Sequence, residues 1–276
     1  MDTPQLQEGP VKTDRLTIHA LRSMPERPEG RVLILGGSNF DLRLKRQFLE
    51  TELAYRFEIL TYEPRGIGRT EQPEGDWDMA DYAADAAALL NAVGWEHADV
   101  LGESFGGMTA LHLAQTFPER VARLALASAT AGGPGGSSVD IRKLLEGPQR
   151  KAAADALKLL DTDNSRLEAQ DPAKFAARLS ARLEFDAGFA TPSVTSGGYA
   201  RLLAARARHD IWTSLPDINQ NTIVITGTRD AQAPPGAQTA MARQLPNSEH
   251  WTYECGHGVA FATQEPMRDL CAAWSR

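Results

Sequence analysis

The chain has only two cysteines, Cys255 and Cys271, among 276 residues. That is too few for a disulfide framework, and the expectation is a cytoplasmic protein carrying two reduced thiols. Long apolar runs are also missing. Nothing approaches the roughly 18 consecutive residues needed to span a bilayer, so no membrane partner is expected. The opening MDTPQLQEGP has neither the basic start nor the apolar stretch of a secretory signal. No Lys/Arg-rich block occurs, and the net charge is −7 with a pI near 5.4. A surface of that sign argues against nucleic acid and against anionic lipid as partners. Signals for cofactors are equally thin. Gly66-Ile67-Gly68 follows an apolar run, but Glu71 stands where a dinucleotide fingerprint needs its third glycine. Cys255-x-His257 has no second ligand pair at zinc spacing, so no metal or other cofactor is called for.

What the sequence does contain is an ordinary globular balance, 42% hydrophobic and 24% charged. Short aliphatic runs alternate with helical patterns. RVLILGG (31–37) and FEILTYE (57–63) read as buried strands, with a helix predicted between them over DLRLKRQFLETELA (41–54). Tyr82, Ala86, Leu89, Leu90 and Val93 form one apolar stripe of a helix near 79–93, which Asp78 can cap. ADVLG, a helix over 107–117 and the strand VARLALASA follow. This rhythm implies parallel βαβ units with helices on both faces of one sheet. It stops at ATAGGPGGSSVD (129–140), whose glycines suggest a hinge. Residues 141–212 then show only helical segments, before strand grammar returns with NTIVITGTRD, a helix near 236–245 and SEHWTYECGHG. The reading is an α/β core in two pieces, 1–137 and 214–276, interrupted by a helical insertion, 138–213.

Gly102-Glu103-Ser104-Phe105-Gly106 lies where a strand runs into a helix, the setting in which G-x-S-x-G presents a nucleophilic serine. A serine hydroxyl needs a base. Of six histidines, His257 alone sits in a glycine-flanked loop after the last predicted strand. Asp230, ending IVITGTRD, is the carboxylate expected to orient it. Phe105, Phe185, Phe189, Tyr199 and Trp212 are candidates to line an apolar substrate pocket, and Asn39 is a further pocket candidate.

Taken together, VLILGGSNFD, YEPRGIGRT, GESFGG, FPERVARLAL, GTRDAQAPP and CGHG resemble, over nearly the whole chain, the lidded α/β-hydrolase superfamily. The resemblance implies a mostly parallel, doubly wound sheet with an inserted helical cap. It also implies a cofactor-free serine hydrolase, monomeric or homodimeric, that cleaves a carboxylic ester or lactone with an apolar part. C–C hydrolases and amidases resembling this family use the same residues. Other members are cofactor-free oxygenases or peroxidases, and ligand-binding proteins share the fold. Two departures stand out. The oxyanion loop reads Gly36-Gly37 rather than His-Gly, and the resemblance implies the amides of Ser38 and Phe105 as oxyanion donors, with Asn39 as the alternative to Ser38. Glu63 also replaces the aspartate of the D-x-R-G turn, with an expected effect only on packing around Arg65.

Overall fold

The structure, a computed structural model, describes residues 3–275. Eight strands form one sheet in the order β1-β2-β4-β3-β5-β6-β7-β8. They are β1 (Gln5–Lys12), β2 (Thr17–Met24), β3 (Arg31–Leu35), β4 (Glu58–Tyr62), β5 (Ala98–Glu103), β6 (Val121–Ala127), β7 (Asn221–Gly227) and β8 (Ser248–Tyr253). Pairs β1/β2 and β2/β4 are antiparallel and every other pair is parallel. The alternation along each strand explains why both faces need cover. Leu33, Leu35, Leu60, Val100, Leu124, Leu126 and Val224 enter one core. Their neighbours Val32, Ile34, Ile59, Leu101, Ala125, Ile223 and Ile225 enter the other.

Helices α1 (Glu52–Arg56), α2 (Met79–Ala92), α3 (Phe105–Thr116), α9 (Pro235–Gln244) and α10 (Glu265–Trp274) supply that cover. Helix α2 begins with a full capping box between Asp78 and Asp81. The single helix expected over 41–54 is not there: turns and one 3-10 turn (Gln47–Glu50) lead into the short α1. Leu42 and Phe48, six residues apart, are both buried in the same core, and a helix would point them to different faces. Buried Asp41 also ties back to the Arg43 backbone and guanidinium, while the Leu42 N–H donates to Glu63. The β1/β2 hairpin was not anticipated either, since β1 is largely exposed and carries little apolar signal.

Residues 141–207 are all helical: a 3-10 stretch (Ile141–Glu146), then α4 (Gln149–Leu160), α5 (Asp163–Gln170), α6 (Pro172–Phe189), α7 (Pro192–Thr195) and α8 (Gly198–Ala207). Ala153, Phe175 and Leu179 form a small core of their own. Phe189, Leu202 and Leu203 instead pack onto Ile67, Trp77, Tyr82 and Phe105 of the sheet-bearing part. The glycine stretch expected as a hinge is a close-packed corner. A Cβ on Gly135 would run into the Trp212 ring, and one on Gly132 into the His209 carbonyl. Cys255 and Cys271 are both buried and unpaired.

Candidate active site

Strand β5 ends at Glu103, and Ser104 turns the chain into α3 with φ 55° and ψ −115°. That conformation costs a serine about 1–3 kcal/mol. The turn is tight because α3 starts against neighbouring backbone. A Cβ on Gly106 would collide with the Leu35 carbonyl of β3, and one on Gly102 would sit 2.7 Å from the Gly107 nitrogen. Only glycine allows the approach, and the approach is what lifts the serine to the carboxyl edge of the sheet.

The loops after β7 and β8 bring two more side chains to the same edge. His257 Nε2 lies 2.8 Å from Ser104 Oγ, and His257 Nδ1 lies 2.8 Å from Asp230 Oδ2. All three residues are buried. Asp230 Oδ1 accepts from the Gln232 and Ala233 N–H groups at 2.9 and 2.8 Å, and the Gln238 amide reaches Oδ2 at 3.4 Å. With the carboxylate on Nδ1, the neutral ring carries its proton there and offers its Nε2 lone pair to the serine. The other histidines are elsewhere. His19 pairs with Glu8, His112 with His209 and His250 with Thr226, and His97 is exposed.

The oxyanion candidates sit around the serine. A Cβ on Gly37 would stand 3.8 Å from the Ser104 Cβ, and Gly37 and Ser38 both line the cavity that Ser104 faces. Phe105 opens α3, so its N–H belongs to a helix N-terminus facing the site. Among the described residues, the Ser38, Asn39 and Phe105 N–H groups donate to no protein acceptor. The Asn39 side chain is engaged, its Oδ1 accepting from Lys45 Nζ at 2.7 Å.

A cavity of about 520 Å³ opens above Ser104 and His257, walled by α4, α6 and α8 on the far side. Asn39, Phe189 and Tyr199 line it. Phe185 does not: it stacks behind Phe189 at 6.1 Å. Trp212 does not either, because its ring covers the Gly133–Gly135 corner. The wall also holds polar groups that no sequence motif singles out: Lys45, Glu103, the Arg182–Asp186 pair at 2.8 Å, and Gln232. Burial pulls the Lys45 ammonium below its ordinary pKa, while nearby Glu103 opposes the shift. Gln232 Nε2 lies 2.8 Å from His257 Nε2, so this side chain touches the base itself. Its position two residues after Asp230 is the only signal in the sequence. Glu63 does not pack around Arg65 as expected. It binds Arg69 at 2.6 Å, while Arg65 forms a buried pair with Asp85.

A mostly parallel sheet with a serine, an imidazole and a carboxylate in contact at its carboxyl edge defines a class of α/β proteins. The profile of the alpha/beta hydrolase fold matches residues 34–262, and the chain belongs to that family. It is 31% identical over 200 residues to 2-hydroxymuconate semialdehyde hydrolase of Pseudomonas putida, covering 70% of this chain and 67% of that one. It is 28% identical over 229 residues to the putative carbamate hydrolase RutD of Azorhizobium caulinodans, covering 79% and 81%. Among solved structures, the enol-lactonase of Burkholderia xenovorans LB400 superposes with TM-score 0.72 at 20% identity, over 97% of this chain and 96% of that one. The 2-hydroxy-6-oxo-6-phenylhexa-2,4-dienoate hydrolase of Rhodococcus sp. RHA1 gives 0.78 at 19%, over 98% and 99%. No helix among the described residues is long and apolar enough to cross a membrane.

Proposed function

We propose that the protein is a cofactor-free serine hydrolase of a small carboxylic ester or lactone. The observation that carries this is the buried, 2.8 Å contact of Ser104 Oγ with His257 Nε2, backed by Asp230 and facing a cavity of about 520 Å³. His257 takes the hydroxyl proton as Ser104 attacks the substrate carbonyl, and Asp230 stabilises the imidazolium. The amides of Phe105 and Ser38 hold the oxyanion, helped by the positive end of α3. The imidazolium then protonates the leaving group, and water hydrolyses the acyl-serine with the same base. Residues 138–213 act as the cap. Phe189 and Tyr199 offer an apolar surface to the substrate, beside the more polar stretch around Lys45 and Asn39.

A second reading, hydrolysis of a C–C bond next to a carbonyl with the same residues, is favoured by the similarity to the semialdehyde hydrolase. A fluorophosphonate probe tests the shared chemistry. It should label Ser104, identified by mass spectrometry, and the label should be lost in His257→Ala. No labelling of the folded protein would sink both readings. Turnover of p-nitrophenyl esters and simple lactones, compared with a dienoate ketone, then separates them. Cleavage of only the ketone would replace the first with the second.

A further inference from the structure

The His257 Nε2 lone pair is claimed twice. Ser104 Oγ stands 2.8 Å from it, and so does the Gln232 side-chain nitrogen, on the cavity side. One lone pair accepts one good hydrogen bond, so in the free protein the serine O–H and the amide N–H compete for it. Gln232 is buried, and its backbone is fixed at both ends: its N–H donates to Asp230 and its carbonyl accepts from Val139. The backbone thus delivers the amide to the side of the base. Among the described residues its Oε1 accepts no protein hydrogen bond.

The competition ends once Ser104 is acylated. The serine then has no O–H to donate, and the substrate's first fragment has left the space next to Nε2. We infer that Gln232 holds the hydrolytic water of the second half-reaction. A water in that space donates one O–H to His257 Nε2 and accepts the Gln232 N–H. Its remaining lone pair is then free to meet the acyl carbon. The inference rests on the acyl-enzyme reading above. In the step itself the water oxygen bonds to the acyl carbon while its proton passes to His257 Nε2. The tetrahedral adduct then collapses, the C–Oγ bond breaks, and the imidazolium returns its proton to Ser104 Oγ. The carboxylic acid leaves, and no other reagent is consumed. Positioning one reactant for attack is worth rate because it replaces a search by an oriented encounter.

The test is pre-steady-state hydrolysis of a p-nitrophenyl ester by Gln232→Met, which keeps the length of the side chain and removes its hydrogen bonds. Loss of one hydrogen bond to the attacking water should slow deacylation by about 10- to 100-fold. The p-nitrophenolate burst should run at an unchanged or faster rate, its amplitude should approach one per active site, and kcat and KM should fall together. Gln232→Glu keeps an acceptor but lacks the N–H, so it should not restore deacylation. Its carboxylate beside Nε2 should also move the acid limb of the kcat/KM profile to higher pH. Burst and steady-state rates falling by one factor would overturn the inference, as would no change in either. Absence of both burst and Ser104 labelling in the unmodified protein would remove the acyl-enzyme reading itself. Labelling with an unaffected Gln232→Met would remove only this one.

Discussion

Ser104 is held in a backbone conformation that suits glycine better than serine, and its neighbours enforce it. The Ser104 N–H donates to Ala127 O at 2.8 Å, and its carbonyl accepts from Gly107 and Met108 at 3.0 and 3.1 Å. The strain is therefore stored by the β5–α3 connection and not relieved by a rotamer change. Ser104→Gly should abolish turnover yet raise stability by about 1 kcal/mol in urea unfolding, because the glycine adopts φ 55° without a Cβ clash. A variant that is both inactive and less stable would mean the φ at this position carries no cost. The same scale shows which site residues the sequence could declare. Ser104, Asp230 and His257, which the structure brings into contact, were legible as candidates because each stands in a turn shortly after a strand, at one edge of the sheet. Gln232 and Lys45 were not, since nothing in a glutamine or a lysine says which loop it will face. Trp212 was misread for the same reason: its bulk suggested a pocket wall, and the glycines it covers, Gly133 and Gly135, are 70 to 80 residues away in the chain.

Among elements, the sharpest constraint is where the chain leaves the sheet and returns. The Ile211 N–H donates to Ala131 O at 2.9 Å, and His209 Nε2 lies 2.9 Å from Thr130 O, so the outgoing and incoming segments are sewn together. His112 of α3 adds its Nε2 to His209 Nδ1 at 3.2 Å. His209 Nε2 donates to the Thr130 carbonyl, so the neutral His209 ring offers its Nδ1 lone pair to the His112 Nε2–H. Burial, helped by the proximity of His112, pushes His209 down to about 4, and burial lowers His112 as well, with Asp78 and Asp210 opposing. The unfolded chain would take up these protons near the ordinary histidine pKa, so stability is present above that value and falls as pH drops from it toward 4. Between about pH 7.5 and pH 4.5, the unmodified protein should lose roughly 2 kcal/mol more than His209→Gln in urea unfolding. Parallel losses in the two proteins would place the acid sensitivity elsewhere. No reading of the sequence pairs residues 97 positions apart, which is why this contact was invisible while the strands around it were plain. Propensity also misled over 41–54, where Leu, Arg, Lys and Glu favour a helix. Burial of both Leu42 and Phe48 overrode that preference.

For the molecule as a whole, the question is how a helical layer can cover the site and still admit a substrate. It is joined to the core unequally. At one end, the Leu160 carbonyl of α4 accepts the His257 N–H at 2.6 Å, the Leu159 carbonyl accepts the Ala231 N–H at 3.0 Å, and Arg229 pairs with Asp161. Moving α4 would therefore disturb the very loops that carry Asp230 and His257. At the other end, α5 and the first turns of α6 rest on α4 through a core as small as Ala153, Phe175 and Leu179, and only the last turn of α6, through Phe189, reaches the sheet-bearing part. Burial of that size gives far less stabilisation than the two cores on the sheet, each of which gathers residues from most of the strands. Opening should therefore begin at α5 and α6 with α4 left in place. Native-state hydrogen exchange measures this directly. Amides of α6 should exchange through openings of lower free energy than those of β3, β5 and β6, while Ala231 and His257 stay protected with the sheet. If all of these amides shared one opening energy, residues 138–213 would be part of a single cooperative unit with the core, and substrate would have to enter without any of it moving.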